Sequence, residues 1–138
     1  MNIHSLADPK DPGREIVDLI WFPTGGGKTE AYLACAAFSI FMRRLRDPKD
    51  LGTHVLMRYT LRLLTAQQFQ RASSLICGME RIRDEIPERL GDDAFTIGIW
   101  VGGATTPNSW PAATSSLSKT KRNGEEDYQM ILLKCPWC

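Results

Sequence analysis

The sequence predicts an α/β domain built on a parallel sheet, and three observations carry that expectation. Short apolar runs alternate with long helical periodicities in the order strand, helix, strand, helix, strand, the order of a sheet with right-handed crossovers. A run of glycines, Gly25-Gly26-Gly27, stands between the first strand and the first helix and leads into Lys28-Thr29. The chain has 138 residues, 43% hydrophobic and 24% charged, which suits one globular domain with a real core and is short for two.

Taken in order, residues 1–14 hold Asp-Pro twice and Pro-Gly once, which are turn signals. Ile16-Val17-Asp18-Leu19-Ile20-Trp21-Phe22 is apolar on both faces and reads as a buried parallel strand. Pro23 ends it, having no N–H for a ladder. A helix is expected from about Lys28 to Arg46, apolar around nearly its whole circumference, with Asp47-Pro48 as its stop. Thr53 to Tyr59 is the second strand. A second helix follows from about Leu61 to Ile86, with Leu64, Ala72, Leu75, Ile76, Met79 and Ile82 at helical spacing and Pro87 closing it. Phe95 to Val101 is the third strand, broken by Gly102-Gly103. Residues 1–103 thus form the first unit. Residues 104–127 turn to Thr, Ser, Pro, Asn, Gly and Lys, and read as a polar loop or a disordered insertion. Residues 128–138 are a further strand leading into Cys135-Pro136-Trp137-Cys138.

The formal net charge of +1 supports no claim of long-range steering to DNA or membrane. Its distribution says more. Arg58, Arg62, Arg71, Arg81 and Arg83 face a single acid, Glu80, while the acids collect from Asp84 to Asp93 and from Glu125 to Asp127. No stretch approaches the ~20 apolar residues of a membrane span, and no secretory pattern opens the chain. The expected setting is therefore the cytoplasm, with no membrane partner. Four cysteines in that setting argue for thiols rather than a disulfide scaffold. Cys35 and Cys77 sit inside helical patterns as small hydrophobes. Both ends of the chain read as cut from a larger protein.

Thr24-Gly25-Gly26-Gly27-Lys28-Thr29 reads as a phosphate-binding loop. Glycines let the backbone take left-handed dihedrals and bring several N–H groups close to phosphate oxygens. The helix beginning at Lys28 adds its own N–H groups and dipole. Lys28 would reach the β- and γ-phosphates, and Thr29 would give its hydroxyl to Mg²⁺. The expected ATP-binding set is Thr24, Gly25, Gly26, Gly27, Lys28, Thr29 and Glu30, with Lys28 and Thr29 catalytic. One departure stands out: the strict pattern asks for a further glycine where this chain has Phe22. The competing reading is a glycine-rich turn before an ordinary helix, with Lys28 solvated.

Pro23 to Glu30 resembles motif I of superfamily 2 helicases, Arg58-Tyr59-Thr60-Leu61-Arg62-Leu63-Leu64-Thr65-Ala66-Gln67 resembles motif Ia, and Val101-Gly102-Gly103 resembles the Gly-Gly element after the third strand. The runs Trp21 to Leu33, Leu56 to Thr65 and Gly98 to Gly103 are similar to the large helicase of the DISARM anti-phage system and its relatives. The resemblance implies a RecA-like P-loop NTPase fold, here incomplete, and an ATP-driven motor on nucleic acid, DNA before RNA, in bacterial antiviral defence alongside partner proteins. It implies that Arg58, Thr60 and Arg62 contact the phosphate backbone of a bound strand, with Gln67, Gly102 and Gly103 on the same track. The arginines otherwise snorkel toward solvent. No Asp-Glu ends an apolar strand; Asp84-Glu85 reads as a solvated helix end. This segment alone is therefore expected to bind nucleotide weakly, to hydrolyse it poorly and to unwind nothing.

Cys135 and Cys138 have the spacing of half a zinc ribbon. Zinc needs four ligands, so a second pair would have to come from elsewhere in the full-length protein; His4 and His54 are isolated. A redox dithiol is the other option. Two rival functions remain: a small-molecule P-loop kinase, which would want the missing glycine and an arginine-rich lid, and a degenerate P-loop scaffold without catalysis.

Overall fold

The computed structural model describes residues 3–17, 21, 27–58, 62–103, 105–123 and 134–138. All regular structure among these residues is helical. Helix α1 covers Ile3–Ala7, a 3₁₀ turn follows at Pro12–Glu15, and α2 covers Lys28–Arg46. Helix α3 is Arg62–Glu85, α4 is Pro87–Leu90 and α5 is Trp110–Asn123. Helices α2 and α3 coincide, to within a residue or so at each end, with the two helices the periodicity predicts. Their punctuation follows local chemistry. The Asp47 N–H closes α2 on the Arg43 carbonyl at 2.9 Å just before Pro48. Pro87 ends α3 and then opens α4, where its missing N–H costs nothing.

The expected parallel sheet is not formed: no strand is present among the described residues. The described parts of the three apolar runs lie extended and open. Val17 is 94% exposed, Leu56 82% and Trp100 99%, the reverse of a strand buried on both faces. The physical reason is that periodicity reports which residues want cover, whereas a strand exists only when a neighbour takes up its N–H and C=O groups. The α/β, RecA-like expectation is thus corrected to an all-helical arrangement with extended connections.

The core sits where the C-terminal halves of α2 and α3 meet α4. Leu90 and Met79 are fully covered there, and Phe41 meets Phe95 edge-to-face with centroids 5.6 Å apart. Arg44 is buried in the same corner. Its guanidinium donates to the carbonyls of Pro48 (3.0 Å), Leu90 (2.8 Å) and Asp93 (2.7 Å) and lies over the Phe95 ring at 5.1 Å. Those carbonyls replace the water the charge gives up. Arg83, also buried, bonds Glu80 at 2.7 Å and the Gly91 carbonyl at 3.1 Å, and Glu80 in turn accepts the Phe95 N–H at 2.8 Å. Gly91 takes φ +84°, and a Cβ there would stand 2.5 Å from the Pro48 carbonyl oxygen, so glycine is required.

Away from this corner the packing thins. Helix α1 meets α2 through Arg46, which donates to the Ala7 carbonyl, while Arg43 and Asp50 form a bidentate pair at 2.7 Å beyond the end of α2. Helix α5 lies inside the polar segment 104–127 and packs against no other described helix.

Candidate functional site at the start of α2

The glycine run meets helix α2 at Gly27. Thr24, Gly25 and Gly26 lie outside the described residues, as does the preceding Phe22. Gly27 is described and takes the left-handed conformation, φ +74° and ψ 18°, which L side chains rarely adopt. Having no side chain, it offers no cap to the first turn. Its carbonyl accepts the Ala31 N–H at 3.2 Å, the first intrahelical bond. The N–H groups of Lys28, Thr29 and Glu30 precede that bond, and such first-turn donors have no intrahelical partner. They lie, with the positive end of the helix dipole, at the N-terminal end of α2 beside Gly27. The Lys28 side chain is exposed, and Thr29 is half-buried beside it. These residue types fit an anion: a cation, a hydroxyl and the backbone N–H groups of a first helical turn.

Glu30, expected to be part of the nucleotide set, has a different partner. Its Oε1 accepts from Arg71 Nη1 at 2.8 Å, with both side chains more than half exposed. A Cβ placed on Gly27 would lie 3.9 Å from the other carboxylate oxygen, so the Glu30 carboxylate also stands beside Gly27. Arg71 stands on α3, 41 residues away in sequence. No motif marks it. It is one arginine among several on that stretch, and only its place on the face of α3 toward α2 singles it out.

The residues expected to touch nucleic acid are only partly gathered. Arg58 is exposed at the end of the second apolar run. Arg62 opens α3, and Gln67 is exposed on it. Thr60 lies outside the described residues, as does the Arg62 side chain. Gly102 and Gly103 are exposed in a turn in which the Thr105 N–H bonds the Gly102 carbonyl at 2.9 Å. No hydrogen bond or ion pair among the described residues joins that turn to the start of α3.

At the C-terminal end Cys135 and Cys138 are free, exposed thiols. The N–H groups of Cys138 and Trp137, with the Cys138 thiol, favour the Cys135 thiolate and hold its pKa below the ordinary thiol value. The hydrogen bond to Cys135 and the charge it carries push Cys138 up. The turn is docked: Ser74 Oγ on α3 donates to the Pro136 carbonyl at 2.7 Å, and Trp137 closes a groove of about 310 Å³ with Ile76, Cys77 and Phe95. Two thiols are half of what zinc requires, and no group of three or more metal-ligating side chains occurs among the described residues. No described helix is long and apolar enough to cross a membrane.

No protein-family model matches the chain, and no solved structure matches it. One curated relative does. DISARM protein DrmA of Bacillus paralicheniformis is 40% identical over 148 aligned residues, covering all of this chain and 13% of the relative. The chain is therefore similar along its whole length to DISARM protein DrmA, and it spans about an eighth of that protein's length (13%).

Proposed function

We propose that this chain carries the nucleotide-phosphate-binding segment of an ATP-dependent nucleic-acid motor, acting on DNA, in anti-phage defence. The observation that carries the reading is the start of α2: an uncapped helix opened by a left-handed glycine, with Lys28 and Thr29 on its first turn. The similarity to DISARM protein DrmA supports the defence setting. No sheet is needed for this reading, because the donors come from one helix end and the glycines before it.

Residues 24–27 would cradle the phosphates through backbone N–H groups. Lys28 would place its ammonium against the terminal phosphates, and Thr29 would offer a hydroxyl to Mg²⁺. ATP with its Mg²⁺ supplies the phosphoryl chemistry when bound; this chain's residues bind and orient it. Arg58 at the end of the second apolar run, Thr60 and Arg62 at the first position of α3 would meet a phosphate backbone, with Gln67, Gly102 and Gly103 as further contacts. Cys135 and Cys138 would supply two thiolates of a zinc site completed from elsewhere in the full-length protein.

The test is ATP turnover by a full-length protein containing this segment, with and without DNA. The expected result is turnover that DNA stimulates and that Lys28→Ala abolishes. Turnover that ignores DNA, or that survives in the variant, removes the motor reading.

A further inference from the structure

Most of the first turn of α2 suits an anion, with one exception. Glu30 places a carboxylate beside Gly27, at the helix start where a phosphate would bind. A negative charge in the first turn of a helix is ordinarily favourable, because it meets the positive end of the dipole. Next to a polyphosphate the same charge is unfavourable, since like charges a few ångströms apart repel. Arg71 meets that carboxylate from α3 through the 2.8 Å bond to Oε1. As a contribution to stability such an exposed pair is worth little. Its effect falls instead on what the site presents to a ligand.

We infer that Arg71 is a positioning residue for the phosphate site: it holds and neutralises the Glu30 carboxylate, so that an anion arriving at Gly27 meets the helix N–H groups and Lys28 rather than an unpaired negative charge. The inference rests on the phosphate-binding reading and adds a residue to it. It also gives α3 a stake in nucleotide binding. The helix that begins at Arg62, next to the expected nucleic-acid contacts, is tied by Arg71 to the helix that begins after Gly27. Anything that shifts α3 along its axis loads that tie.

The test is a double-mutant cycle read by calorimetry on the 138-residue chain, with a non-hydrolysable Mg–ATP analogue as the titrant. Arg71→Met keeps most of the side-chain stem and removes the charge; Glu30→Gln removes the carboxylate. Arg71→Met is expected to weaken binding by about three- to tenfold at low salt, and less at high salt. In the Glu30→Gln background the same change is expected to alter binding by less than about twofold, because no carboxylate is left to hold. Equal losses in both backgrounds would overturn the inference, showing that Arg71 acts on the phosphates as a plain positive charge. No loss in either background would overturn it as well. Both of those results leave the phosphate-binding reading standing, provided that the parent binds and Lys28→Ala does not. A folded parent that binds no analogue removes the reading and the inference together. Circular dichroism of each variant confirms that binding is compared between folded chains.

Discussion

Arg44 and Arg83 show how single side chains decide where this chain is firm. Each is a guanidinium taken largely out of water and repaid with oxygens: backbone carbonyls for Arg44, and Glu80, Asp84 and the Gly91 carbonyl for Arg83. Gly91 completes the corner because only glycine fits its left-handed backbone against the Pro48 carbonyl. Gly91→Ala should lower stability by about 2 kcal/mol, seen as a lower urea midpoint; an unchanged midpoint would show that the corner yields. Glu80 gives a pH dependence. Burial pushes its pKa up, but the hydrogen bond from Arg83, the Phe95 N–H and the charges of Arg83 and Arg44 outweigh that and hold it below the ordinary value of 4.5. A carboxyl lowered in the folded state contributes stability that is fully present above about that ordinary value and is lost as pH falls through the lower folded value. Acid unfolding of the parent should therefore steepen below pH 4.5, and Glu80→Gln should flatten that limb. Parallel acid limbs would show that the Arg83 pair carries no such linkage.

At the scale of elements, helices α2 and α3 were legible and the extended runs were not. The apolar spacing from Lys28 to Arg46 and from Leu61 to Ile86, with Pro48 and Pro87 as stops, fixes α2 and α3 because a helix satisfies its own backbone and needs little from afar. Runs such as 53–59 and 95–101 carry the composition of strands, but pairing is a property of two segments, and one sequence window cannot report it. Helix α5 was hidden for the opposite reason. Its Ser, Thr and Lys content reads as loop, and its apolar side is short, only Trp110, Ala113 and Leu117 at helical spacing among polar residues. A helix of 14 residues that packs against no other described helix is marginal in water, so its amides should exchange far faster than those of α3 around Met79. Equal protection would mean that α5 is held by something beyond its own turns. The docked cysteine turn offers a second element-scale test. Ser74→Ala removes its bond to the Pro136 carbonyl, and a Trp137 emission shifted toward that of a solvated indole is expected. Unchanged emission would show that the groove, not the hydroxyl, seats the turn.

For the whole molecule, the site was half legible. Gly27, Lys28 and Thr29 are named by the glycine pattern, and the structure places them at an uncapped helix start. Arg71 was not, because its partner lies 41 residues away and the contact depends on how α2 and α3 pack. The chain spans 13% of DISARM protein DrmA, so motor activity, DNA and defence partners belong to the proposal for a longer protein. Phosphate binding is the part of the proposal that this segment alone can test. Its most direct test is calorimetric titration of the chain with Mg–ATP, beside Lys28→Ala under the same conditions. Measurable binding in the parent and none in the variant is expected, with both folded by circular dichroism. Equal binding in the two, or a folded parent that takes up no nucleotide, would contradict it.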